Sequence, residues 1–207
     1  PEESRNKHKH TFAPWRLIVL LFVLFFRGTQ GFEMDMLDVG QGDGIYLRTG
    51  EGSSIFFDGG STDVKQVGTR RILPFLKYHG VRRVGYWFVS HGDKDHISGL
   101  LEVFESGYPV DYLLISAYMP EDEAYERLKK AAEQNHTKIV PLKAGDRICL
   151  GNAGFQCLFP TEDYAKKRGQ ERNACSLVIR YEEAGVSGLF AGDLDTEGER
   201  ALVRDGN

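Results

Sequence analysis

The chain has 207 residues, 41% hydrophobic and 27% charged, which is enough for one sizeable domain and too apolar for a disordered chain. Twenty-six Lys and Arg against 30 Asp and Glu leave a net charge of -4, which excludes a basic coat for nucleic acid but not a site where metals supply the positive charge. Three cysteines, Cys149, Cys157 and Cys175, are too few for a disulfide scaffold, and without a Cys-x-x-Cys pair they do not make a structural zinc ribbon.

Residues 1–11 form a polar, basic tail with Arg5, Lys7 and Lys9 interleaved with His8 and His10. Phe12-Ala13-Pro14-Trp15-Arg16 then leads into the unbroken apolar run Leu17 to Phe26, closed by Arg27. Residues 12–31 are expected to form a hydrophobic membrane segment. A signal-peptide core ending near Gly28-Thr29-Gln30-Gly31, or a buried strand, are the alternatives. Basic residues ahead of the run would keep its N-terminal side in the cytoplasm, placing the rest on the extracytoplasmic side of a cell membrane. A chain that opens on Pro1 and stops at Asn207, just past a helical stretch, is expected to be a piece of a longer protein.

From Phe32 the texture changes. Phe32 to Val39 alternates as a strand, Gly40-Gln41-Gly42-Asp43-Gly44 turns, Ile45 to Arg48 resumes, and Ser54 to Phe57 is a buried strand ending at Asp58-Gly59-Gly60. Residues 64–79 predict a helix stopped by Gly80. Val84 to Val89 predicts a strand, Ile97 to Phe104 a helix, Val110 to Ser116 a strand, and Glu121 to Gln134 a charged surface helix. Lys138 to Leu142, Arg147 to Leu150, Phe155 to Phe159, Leu177 to Tyr181 and Gly188 to Ala191 predict further strands, followed by a helix from Thr196 with Asp195 as its N-cap. Cys149 and Cys157 flank a turn at residues 151–154, either facing each other across it or simply buried as two small side chains. Hairpins first and helical crossovers later suggest an α+β or a layered αββα arrangement with helices on the outer faces.

The strongest chemical signal is His91-Gly92-Asp93-Lys94-Asp95-His96, four metal-capable side chains within six residues, directly after an apolar strand. Imidazole with carboxylate suits a first-row divalent ion. His-x-Asp followed by Asp-His lets one loop feed two ions; the plain alternative is a solvated acidic loop. Asp58 and Asp193 each follow a buried strand beside glycine, where a carboxylate can bridge cations or orient a ligand histidine. Alone, each would more often cap a turn. Beside the His91–His96 cluster, Asp193 reads as a metal ligand and Asp58 as a support behind one. Asp38 and Asp43 flank Gly40-Gln41-Gly42, which either borders the cleft or makes a simple hairpin; Asp43 is the better candidate. Lys166-Lys167-Arg168 is a solvated face or a contact for a phosphate backbone, and Tyr118 and Tyr164 could stack on bases.

Asp58, His91-x-Asp93-x-Asp95-His96 and Asp193, in that order, resemble the metallo-β-lactamase superfamily, whose general motif is His-x-His-x-Asp-His. Asp93 replaces the second His. With Leu37-Asp38-Val39-Gly40-Gln41-Gly42-Asp43 upstream, and Asn173-Ala174-Cys175-Ser176 and Phe190-Ala191-Gly192-Asp193 downstream, residues 32–200 resemble the C-terminal domain of ComEC-type DNA-uptake competence proteins. The resemblance implies a metallo-β-lactamase-like αββα four-layer sandwich over residues 32–207, incomplete at its C-terminus and preceded by the membrane segment. It also implies a hydrolase, a phosphodiesterase or nuclease, with two divalent ions, zinc or manganese, and an activated hydroxide. DNA would be its substrate, with the membrane and other DNA-uptake components as partners. His91 and Asp93 would hold one ion and Asp95 and His96 the other, with Asp193 bridging and Asp95 orienting the water; the oxygen-rich set tilts the choice toward manganese. Two departures stand out. Glu171-Arg172-Asn173 lacks the histidine that the superfamily carries there, leaving Asn173 as the substitute, and a last histidine would fall beyond Asn207. The other readings are a surface phosphodiesterase acting on a cell-envelope component, and a binding domain that has the fold without catalysis.

Overall fold

A computed structural model describes residues 14–25, 31–168 and 171–204; the basic tail, residues 1–11, lies outside them. The chain divides into two units, residues 1–30 and 31–207. In the first, Pro14–Phe25 forms helix α1, on which Trp15, Leu17, Ile18, Val19 and Leu21 are exposed. It has 12 residues, whereas a span needs about 20. No helix among the described residues is long and apolar enough to cross a membrane.

The second unit holds two sheets. Strands β1 (Glu33–Met36), β2 (Gly44–Arg48), β3 (Ser54–Asp58), β4 (Val84–Phe88), β5 (Val110–Ser116) and β6 (Lys138–Leu142) lie in that order in the first. β1 to β3 pair antiparallel, as their short glycine turns require, whereas β3 to β6 run parallel. Parallel neighbours need crossovers, and these carry α2 (Leu73–Tyr78), α3 (Lys94–Glu105) and α4 (Glu123–Gln134). The second sheet is an antiparallel meander of β7 (Arg147–Leu150), β8 (Ala153–Phe159), β9 (Val178–Glu183) and β10 (Val186–Phe190). α5 (Glu162–Arg168) and α6 (Thr196–Arg204) complete the chain.

Side-chain alternation along the strands divides the apolar residues between layers. Tyr46, Phe56, Trp87 and Leu113 face one way and pack against Ile72, Leu76, Leu100 and Phe104 of the helices. Their neighbours Leu47, Ile55, Phe57, Phe88 and Leu114 face the other way and meet Phe155, Cys157, Ile179 and Tyr181 of the second sheet. Leu158, Phe159 and Val178 use the far face of that sheet to bury Leu194 and Ala201. The layers run helix, sheet, sheet, helix, so the expected αββα sandwich is the fold of this unit.

Several local expectations change. A π-helical turn, Gly68–Ile72, precedes α2. α3 starts at Lys94, inside the His91–His96 motif, because its N-terminal turn is polar and gives no apolar signal. α5 was not expected at all. Cys149 is exposed and stands opposite Gly154, while Cys157 is buried, so the two do not face each other. Asp195 does cap α6, accepting from the Gly198 N–H at 2.7 Å.

Candidate functional site

Because β3 and β4 are parallel and adjacent, their C-terminal ends open on the same side of the sheet. That alone brings Asp58 beside Ser90 and His91, although 32 residues separate Asp58 from Ser90. Asp58 is buried and adopts a left-handed backbone (φ 55°), a strained choice that aspartate tolerates better than most residues. Its carbonyl accepts from Trp87 Nε1 at 2.6 Å, its Oδ1 accepts from the Ser90 N–H at 2.7 Å, and its Oδ2 lies 3.0 Å from His96 Nδ1. Facing a carboxylate, that nitrogen must be the donor. Asp58 therefore orients the His96 ring.

The Gly40–Gly44 turn closes one side. Gly42 (φ 145°) leaves no room for a side chain: a Cβ there would lie 2.5 Å from the carbonyl oxygens of both Asp95 and Gly60. This close approach lets the Asp43 N–H donate to the Asp95 carbonyl at 3.3 Å. It also sets Asp43 Oδ2 3.9 Å from His96 Nδ1. The other side comes from the second sheet. The Leu177 N–H donates to the Ser90 carbonyl at 2.8 Å, and Gly192 packs so tightly on Ser90 that a Cβ would lie 2.5 Å from its Cβ. Asp193 follows directly, with Oδ1 3.5 Å from His96 Nε2. A cleft of about 190 Å³ opens here, with Phe57, Phe88 and Ile179 beneath and Asp43, Asp58 and Ser90 at the polar end.

The two imidazoles are buried with centroids 4.1 Å apart. His91 Nδ1 lies 3.0 Å from Ser90 Oγ, leaving Nε2 buried with no hydrogen-bond partner. Burial and the neighbouring His96 push the His91 pKa down, which favours the neutral ring. For His96, burial opposes the charge, but the bond to Asp58 and the Asp58, Asp193 and Asp43 carboxylates outweigh it and raise the pKa to about 9. Burial, and then Asp58, raise Asp43. Carboxylates thus gather around the two rings, and in the absence of an ion they favour the protonated form of His96. His91, His96 and Asp193 offer ligand atoms within 4.8 Å of one another, and Asp43, Asp58 and His96 do so on the other edge of the His96 ring. An orphaned buried imidazole nitrogen beside a second imidazole and a carboxylate fits a first-row divalent cation.

The other sequence candidates make different contacts. Asp93 directs Oδ2 toward His91 Nε2 at 3.5 Å, but its Oδ1 accepts from Arg172 Nη1 at 2.6 Å. Asp95 is half-buried in the first turn of α3 and joins neither three-residue group. Asn173 is exposed in the short 3-10 turn Asn173–Cys175; its neighbour Arg172 reaches the site instead. Lys166 pairs with Glu162 at 2.7 Å, and Arg168 is engaged by Glu171, Asp195 and Glu197, so these two cations are paired locally. Tyr164 packs edge-on against Phe159. Ser90, Arg172 and Asp122 are the residues that sequence reasoning missed. Ser90 had a signal in its place beside His91; the other two are linked to the site only through space.

Among curated proteins, the chain is similar to ComE operon protein 3 of Bacillus subtilis (strain 168), 29% identical over 201 residues, covering 90% of this chain and 25% of the relative. It is also similar to competence protein ComA of Neisseria gonorrhoeae, 30% identical over 196 residues, covering 92% of this chain and 24% of the relative. The chain thus spans about a quarter of the length of these relatives. Among solved structures, the metallo-beta-lactamase fold protein YhfI from Bacillus subtilis aligns with a TM-score of 0.50 at 15% identity, over 77% of this chain and 62% of that one, a likeness of fold. Residues 54–205 match the family model of the beta-lactamase superfamily domain, and with the αββα layers and the histidine–aspartate cluster at the strand ends, the chain belongs to the beta-lactamase superfamily.

Proposed function

We propose that this chain is the metal-dependent hydrolase domain of a ComEC-like competence protein, cleaving phosphodiester bonds of DNA during uptake. The observation that carries the reading is His91 Nε2, buried and without a hydrogen bond beside His96 and Asp193. A divalent ion, when bound, supplies Lewis acidity and a nucleophilic hydroxide near neutral pH. His91, His96 and Asp193 hold it, Asp58 fixes the His96 ring, and Ser90 fixes His91. Asp95, one residue before His96, orients the attacking water, and Asp43 stands at the edge of the cleft, its carboxyl pKa raised first by burial. The likeness to two competence proteins supports DNA as the substrate.

In this reading residues 1–11 are a membrane-proximal tail, 12–31 a membrane segment and 32–207 the hydrolase on the extracytoplasmic side. The exposed apolar side chains of α1 and the basic residues ahead of it support that attachment. Incubating the full chain with DNA and manganese or zinc tests the activity. Cleavage that is lost with chelator, with His91→Ala and with Asp95→Ala is expected. Metal binding without DNA cleavage would move the substrate to another phosphodiester, such as a cell-envelope component. Neither metal nor cleavage would leave a binding domain.

A further inference from the structure

Asp93 is the one carboxylate of the motif that is already held by a cation. Arg172 Nη1 donates to its Oδ1 at 2.6 Å across 79 residues of sequence. The same guanidinium is gripped from its other edge by Asp122, whose Oδ2 accepts from Nε at 2.7 Å and lies 2.6 Å from Nη2. Asp122 is itself fixed: its Oδ1 accepts from the Ala124 and Tyr125 N–H groups at 2.9 and 3.1 Å and caps α4. The arginine is therefore not a loose surface side chain. It is a planar cation fixed between two carboxylates, one of which is built into a helix start.

The donor geometry divides along the same line. Two groups of residues at this site are able to converge on an ion, His91, His96 and Asp193, and Asp43, Asp58 and His96; Asp93 belongs to neither. In the second group Asp58 is committed to His96 Nδ1 and Ser90. Asp93 Oδ2 lies 3.5 Å from His91 Nε2, but a second ion drawn to that carboxylate would share it with a guanidinium that cannot give up its proton.

We propose that Arg172 stands in for a second metal ion: it neutralises Asp93 permanently, and the site binds one divalent ion per chain, between His91, His96 and Asp193. Asp122 is the positioning residue that aims the guanidinium. The inference rests on the metal reading given above and sets its stoichiometry at one ion, where the family resemblance implies two.

Counting bound metal tests this without reference to activity. The full chain is loaded with manganese or zinc, freed of excess, and analysed by elemental analysis and titration calorimetry. One ion per chain is expected for the native protein and for Arg172→Lys, which keeps the charge. Two are expected for Arg172→Ala, and for Arg172→Gln, which keeps most of the bulk should alanine impair folding. Two ions in the native protein, or one ion in both neutral variants, would overturn the role of Arg172 while leaving the hydrolase reading intact. No bound metal in the native protein would overturn both.

Discussion

Asp58 concentrates several demands on one side chain. Its backbone is left-handed, its carboxylate is buried, and its two oxygens serve Ser90 and His96 separately. Asparagine preserves the shape and tolerates the backbone but cannot answer the imidazole with a full charge. Asp58→Asn is therefore expected to weaken metal binding by about 10- to 100-fold, the usual cost of removing a partner behind a ligand histidine. Competition with a coloured chelator measures this, and unchanged affinity would remove Asp58 from the site. Asp93 and Arg172 make a related point. In the sequence they are two separate departures from a motif, an aspartate for one histidine and no histidine near position 173. In the structure they are a single ion pair.

Helix α4 carries a coupling of the same kind. Asp122 caps its N-terminus while gripping Arg172, so stability and site geometry share one carboxylate. Burial works against its charge, but the Tyr125 N–H, Arg172 and the Ala124 N–H outweigh burial and hold its pKa below the ordinary range. A depressed carboxylate contributes stability that is complete above its unfolded value, about 4, and is lost as pH falls through the lower folded value. Asp122→Ala is expected to cost about 1 kcal/mol at neutral pH as a lost cap. The gap to the native protein should close in acid below about pH 4. Urea unfolding at several pH values reads both effects; a gap that widens in acid would contradict the assignment. Elements with strong periodic or continuous apolar signals were legible in the chain: β5, β6 and β7 fall where the pattern predicts. α5 was not, because only Ala165 of its seven residues is buried and ion pairs, not an apolar stripe, accompany it. The first turn of α3 was hidden for the opposite reason, since its residues serve the site rather than the core.

Across the sandwich, the site is a seam. Asp58, Ser90 and His91 come from the first sheet, Asp193 follows the last strand of the second, and Phe57 stacks on Phe190 beneath them at 3.7 Å between centroids. An ion held by His91, His96 and Asp193 would tie the two sheets together, so binding should appear as global stability. With free manganese or zinc at a hundred times its Kd, the gain is about 2.7 kcal/mol. For a chain of this size each kcal/mol raises Tm by about 2–4 °C. Thermal scans with metal and with chelator are expected to differ by that sum, and coincident transitions would mean that no ion links the sheets.

By itself the sequence determined the α+β class and the strand-end motif with its two histidines and its aspartates. These depend on local patterns: alternation along strands, glycine turns, and metal-capable residues crowded into one loop. Only the tertiary structure decided which carboxylate serves which nitrogen. Asp58 supports His96 because parallel β3 and β4 end side by side, Asp193 arrives from the other sheet because Gly192 can lie against Ser90, and Arg172 takes Asp93 because the start of α4 holds it there. Those pairings join residues tens of positions apart. Chain topology and close packing set them, and neither leaves a local trace in the order of residues.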